Sequence, residues 1–69
     1  MRIWDYEEYV VKEIEFDCAL HEFDVVQKGE IVATITPGSI REMEELIAYL
    51  NQGYGVDGWG DGKGNTINI

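Results

Sequence analysis

The chain reads as a small α+β domain: an antiparallel sheet of three to four strands packed against one α-helix, with a glycine-rich C-terminal tail. Three observations predict it. Apolar and polar residues alternate with period two through much of the first half; one stretch near Ile40 to Gln52 switches to steps of three and four; and six of the eight glycines crowd between Gly53 and Gly64. Length sets the scale. A chain of 69 residues buries roughly 60% of its unfolded surface, which leaves room for one thin core and no second domain. With 45% apolar residues it still lies in the folded range.

From Val10 to Asp17, Ile14, Phe16 and Cys18 alternate with Glu13, Glu15 and Asp17, the pattern of a strand with one wet face. The next alternation turns Phe23 and Val25 inward and Glu22 and Asp24 outward, so a turn or bulge is expected between Asp17 and His21. Gln27-Lys28-Gly29-Glu30 has turn chemistry, and Ile31, Ala33 and Ile35 then alternate with Val32, Thr34 and Thr36, which completes a hairpin. Pro37-Gly38 ends the ladder. Ser39-Ile40-Arg41-Glu42 is a capping box, and Ile40, Met43, Leu46, Ile47 and Leu50 form the apolar face of the helix that follows. Gly53 is placed to stop it in a left-handed conformation. The expected core is therefore Ile14, Phe16, Phe23, Val25, Ile31, Ala33, Ile35, Ile40, Met43, Leu46, Ile47 and Leu50.

Residues 3 to 10 admit two readings, a helical turn capped by Asp5 or an extension of the first strand. At the other end, residues 1 to 52 hold the expected domain, residues 53 to 69 are a loop-like tail, and Thr66 to Ile69 alternate as a short edge strand would.

Charge is the strongest functional cue. The formal net charge is -9 and the pI about 4.2, which repels nucleic-acid backbones and anionic lipid, since binding either needs Lys and Arg to displace counterions. Direct nucleic-acid and membrane binding are thus disfavoured. Between Asp5 and Glu30, nine acids stand against two basic residues, a net of -7. On an extended strand Glu13, Glu15 and Asp17 would recur about every 6.6 to 6.8 Å on one side, and Glu22 and Asp24 on a neighbouring strand would widen that row. Such a face would suit a basic protein partner, with Trp59 as an anchor. The same pattern also describes a solvated outer face that keeps a small protein soluble.

Other chemistries fit less well. Residues 57 to 68 overlay partly on a calcium loop, with Asp57, Asp61 and Asn65 at positions one, five and nine and Gly62 at six. Trp59 stands where the third ligand belongs and Asn68 where a bidentate Glu does; cation binding through this loop is the alternative function. A phosphate cradle fails, because Lys63 is followed by Gly64 and acids flank it. Cys18 and His21 are the only thiol and imidazole, and on an unbroken strand they point to opposite faces. Paired carboxylates are too numerous to mark general acid work, which needs one of them buried and raised in pKa. No catalytic residue, metal or cofactor is therefore assigned, and the expectation is a chain that is not an enzyme. The lone cysteine and the lack of an apolar stretch after the first residues predict a cytoplasmic protein.

Phe23 to Asn65, with its hairpin, its Thr36-Pro37-Gly38-Ser39 helix entry and the closing Asp57-Gly58-Trp59 and Asp61-Gly62-Lys63-Gly64-Asn65-Thr66, resembles small acidic proteins carried by bacterial phages and mobile elements. The resemblance implies a host-defence inhibitor, of the anti-CRISPR or anti-restriction kind, that occupies a basic groove; it carries over no catalytic residues. The glycines of residues 53 to 64 depart from compact DNA mimics, so either the tail or the acidic sheet is left as the binding element. The expected function is accordingly a protein-binding inhibitor presenting Glu13, Glu15, Asp17, Glu22, Asp24 and Trp59. A second copy would cover an exposed sheet face or edge, so a homodimer is compatible with the sequence.

Overall fold

Four strands and one helix form the regular structure of the described residues: β1 (Ile3–Asp5), β2 (Val10–Glu15), β3 (His21–Gln27), β4 (Glu30–Ile35) and α1 (Ile40–Asn51). They come from a computed structural model that describes residues 2–15 and 19–69. The sheet is an antiparallel meander in the order β1-β2-β3-β4, so the α+β class holds. Residues 3 to 10 form neither a capped helical turn nor a continuation of the next strand. They make a separate edge strand and a tight return, in which the Tyr6 amide donates to the Tyr9 carbonyl at 2.8 Å.

The β3–β4 hairpin turns on Lys28 and Gly29, both at positive φ (54° and 80°), the backbone that matches the twist of two paired strands. A bulge follows. Register shifts between Val25 and Val26, where Val26 faces Ile31 and Val25 faces Ala33, leaving Val32 as the extra residue. That insertion reverses the phase of Ile31, which is 59% exposed instead of joining Ala33 and Ile35 inside.

Phase is also reversed in β2. Its residues pair with β3 as Val11↔Val25 and Glu13↔Phe23, and directly paired residues share a face. Val11 and Glu13 therefore lie inside with Phe23, while Ile14, expected in the core, is 40% exposed. Phe16, Asp17 and Cys18 lie outside the described residues.

Ser39 caps α1 by accepting the Glu42 amide at 3.1 Å, and Gly53 follows the helix at φ 88°. Leu46 and Leu50 are buried against the sheet, with Met43 and Ile47 packed beside them. Ile40, in the first turn, is half-exposed, so the apolar face starts later than its spacing implies.

The glycine-rich segment closes the core. Val56 and Ile67 are buried in the same cluster as Phe23, Val25 and Leu46, so the packed domain does not end at residue 52. Gly60 bridges Thr66, and the Ile67 amide donates to the Trp59 carbonyl at 2.7 Å. Thr66 to Ile69 form no strand beyond that bridge. The loop also covers part of the β4 edge: the Thr34 amide donates to the Asp61 carbonyl at 3.2 Å. Gly62 sits at φ 81°, and a Cβ there would lie 2.6 Å from the Thr34 carbonyl oxygen, so glycine is required for this approach. In urea unfolding, Ile67→Ala should cost about 2 to 4 kcal/mol through a buried cavity. Ile31→Ala, at a position the sequence pattern places inside, should cost less than about 0.5 kcal/mol.

Candidate functional site

Glu13 is the chemically unusual residue of the fold, a carboxylate only 2% exposed on the helix-facing side of the sheet. Two side chains donate to it. Arg2 donates from Nε to Oε1 at 2.8 Å and from Nη2 to Oε2 at 3.2 Å, and its backbone amide reaches Oε1 at 3.3 Å. His21 Nδ1 lies 2.7 Å from Oε2; since a carboxylate only accepts, that nitrogen carries the hydrogen. Burial pushes the Glu13 carboxyl up, but the hydrogen bonds from Arg2 and His21, with the Arg2 charge, more than offset it and hold the group at about 2.

The cluster ties distant elements together. Arg2 lies 5.8 Å from the Trp4 ring centre, Trp4 leans on Phe23 at 6.0 Å, and the Trp4 indole donates to Asn51 at the end of α1 at 2.9 Å. A general acid at neutral pH needs a carboxyl raised toward 7; Glu13 is moved the other way. Its arrangement suits structural anchoring.

Among the described residues the expected acidic row does not assemble. Glu13 is not on a wet face, because its pairing with Phe23 turns it inward. Glu15 is exposed on that same helix-facing side, whereas Glu22 and Asp24 belong to the opposite face, and Asp17 lies outside the described residues. Trp59 is half-buried on the core, edge-on to Tyr49 at 6.3 Å.

In the 57 to 68 loop, the carboxylates hold backbone: Asp61 Oδ1 accepts the Lys63 and Asn65 amides at 2.7 and 3.1 Å, and Asp57 Oδ1 accepts the Ile69 amide at 3.1 Å. Among the described residues no three His, Cys, Asp or Glu side chains gather as a metal would require, and no cavity is present. No described helix is long and apolar enough to cross a membrane.

Among the described residues, one face of the sheet is left uncovered. Helix and glycine-rich loop pack on one side; on the other, Ile3 and Ile31 are each 59% exposed and Ile14 is 40% exposed. Lys12 and Asp24 lie among them, paired with each other, and Thr34 donates to Asp24 at 3.1 Å; Asp5 on the edge strand and Glu22 beside Ile14 lie at the margins. Sequence reasoning found Glu22 and Asp24 and missed Ile3, Ile14 and Ile31. Their exposure follows from register and a bulge, which period-two alternation does not encode.

No protein-family model, curated protein or solved structure matches the chain.

Glu13 makes stability pH-dependent with a definite sign. Its folded value lies below the ordinary 4.5, so its contribution is complete above about pH 5 and is lost as pH falls toward 2. Arg2 is half-exposed, and solvent screening limits the contribution to about 2 kcal/mol. Glu13→Gln should therefore lower stability by about that amount at pH 7. The gap from wild type should shrink as both are acidified, as read by urea midpoints at each pH. That comparison also cancels the relief of self-repulsion that acid brings to a chain of net charge -9.

Proposed function

We propose that this chain is a protein-binding module, an inhibitor or regulator without a reaction of its own, that engages a basic partner through the open face of its sheet. The observation carrying this reading is the mixture on that face of exposed Ile3, Ile14 and Ile31 with Asp5, Glu22 and Asp24. Apolar side chains supply the area that desolvates on contact, and the carboxylates steer a positive surface and fix its register. A charge of -9 adds long-range attraction for the same kind of partner.

A nucleic-acid-binding groove is the basic surface that best fits this chemistry, in keeping with the sequence resemblance to anti-CRISPR and anti-restriction inhibitors. Glu13 is withdrawn from the binding set because Arg2 and His21 already occupy it. The acids retained are Asp5, Glu22 and Asp24.

The test is retention of partners from host lysate on immobilised protein at low and high salt, comparing wild type with Glu22→Lys plus Asp24→Lys and with Ile3→Ser plus Ile31→Ser. A basic protein held by wild type, released by salt and lost to both variants is the expected result. Equal retention by all three proteins would overturn the assignment of this face.

A further inference from the structure

All four tyrosines of the chain meet at one place. Tyr6 and Tyr9 flank the β1–β2 return and stack with ring centres 4.8 Å apart; Tyr49, on the last turns of α1, and Tyr54, just past it, lie 4.6 Å apart; Trp59 stands edge-on to Tyr49. Hydrogen bonds join the two pairs. The Tyr6 hydroxyl donates to the Tyr54 carbonyl, and the Tyr9 hydroxyl accepts the Val56 amide at 3.2 Å. Tyr6 and Tyr9 are thereby pinned, while Tyr49 and Tyr54 keep 42% and 52% of their surface in water.

The segments that build this strip share a charge pattern. Residues 6 to 11 and 42 to 62 contain Glu7, Glu8, Glu42, Glu44, Glu45, Asp57 and Asp61 and no Lys, Arg or His. Glu7 and Glu8 occupy the return between Tyr6 and Tyr9, while Glu45, one turn before Tyr49 on the helix, is already paired with Arg41 Nε at 3.4 Å. Exposed aromatic faces attract cations through their ring quadrupoles, and here no cation from the same segments competes for them. A guanidinium is favoured over an ammonium, being planar, weakly hydrated and able to stack on a ring while its edge meets a carboxylate. Neutral ligands that also stack on aromatic rings would leave this surrounding charge unanswered.

We propose that this strip is a second docking site, taking an extended, arginine-bearing segment of a protein partner whose guanidinium groups stack on Tyr54 and Tyr49. It lies on the helix side of the sheet, so it stands or falls separately from the open sheet face.

The probe is a ten-residue peptide of alternating arginine and proline, titrated by calorimetry and by amide and indole NMR shifts. Matched lysine–proline and citrulline–proline peptides serve as comparators. The arginine peptide should shift Tyr49, Tyr54 and the Trp59 indole, bind several-fold more tightly than the lysine peptide, and outlast the citrulline peptide entirely. Tyr54→Leu, which keeps the carbonyl that Tyr6 uses, should weaken binding about two- to fivefold, and Tyr49→Ala with Tyr54→Ala about tenfold. Tyr54→Phe, which keeps the ring, should bind as wild type does, which separates stacking from any loss of folding. Equal binding of arginine and lysine peptides, unaffected by Tyr54→Leu, would overturn the proposal and reduce the attraction to net charge. Binding lost only in Glu22→Gln with Asp24→Asn would overturn it too, while leaving the open-face reading intact.

Discussion

The register between β2 and β3 is the constraint from which most of this structure follows. Once Val11 faces Val25, Glu13 must face Phe23 and enter the interior. A buried carboxylate is tolerated only when its oxygens are satisfied, and donors are recruited from both sides: the Arg2 guanidinium ahead of β1 and the His21 ring at the first residue of β3. Arg2 in turn extends the pairing of the three-residue edge strand β1, since its carbonyl accepts the Glu13 amide at 2.9 Å. An edge strand this short gains little from its ladder alone. The ion pair and the Trp4 contacts with Phe23 and Asn51 hold it in place.

A core this small also needs material from outside the sheet and helix. The glycine-rich segment supplies it by winding tightly enough to deliver Val56 and Ile67 to the buried cluster. Its glycines answer geometric demands such as the approach of Gly62 to the Thr34 carbonyl. Its aspartates close local turns by accepting backbone amides, which is why a segment with the partial look of a cation loop behaves as a packed closure.

Covering one side of the sheet leaves the other bare, and the two sides differ in chemistry. The open face mixes branched apolar residues with three acids, while the covered side ends in a strip of aromatic rings. Each carries one of the two docking sites proposed here for a positive partner. The partners proposed for them differ: a broad basic surface for the sheet, and planar cations on an extended segment for the rings.

Local pattern was sufficient for the class, the Lys28–Gly29 hairpin, and a helix with its Ser39 cap and Gly53 stop, because each depends on residues within one or two turns of chain. It was also sufficient for the inward set of Phe23, Val25, Ala33 and Ile35. Which face Glu13 and Ile14 take was beyond it, since β2 carries apolar residues on both phases and only pairing with β3 chooses between them. Ile31 was decided by a bulge, Val56 and Ile67 by a loop folding back across long sequence separations, and the meeting of Tyr6, Tyr9, Tyr49 and Tyr54 by the packing of three segments. In each case the sequence determined what could be buried, and tertiary contact decided what was, because burial of a side chain depends on neighbours that periodicity does not name.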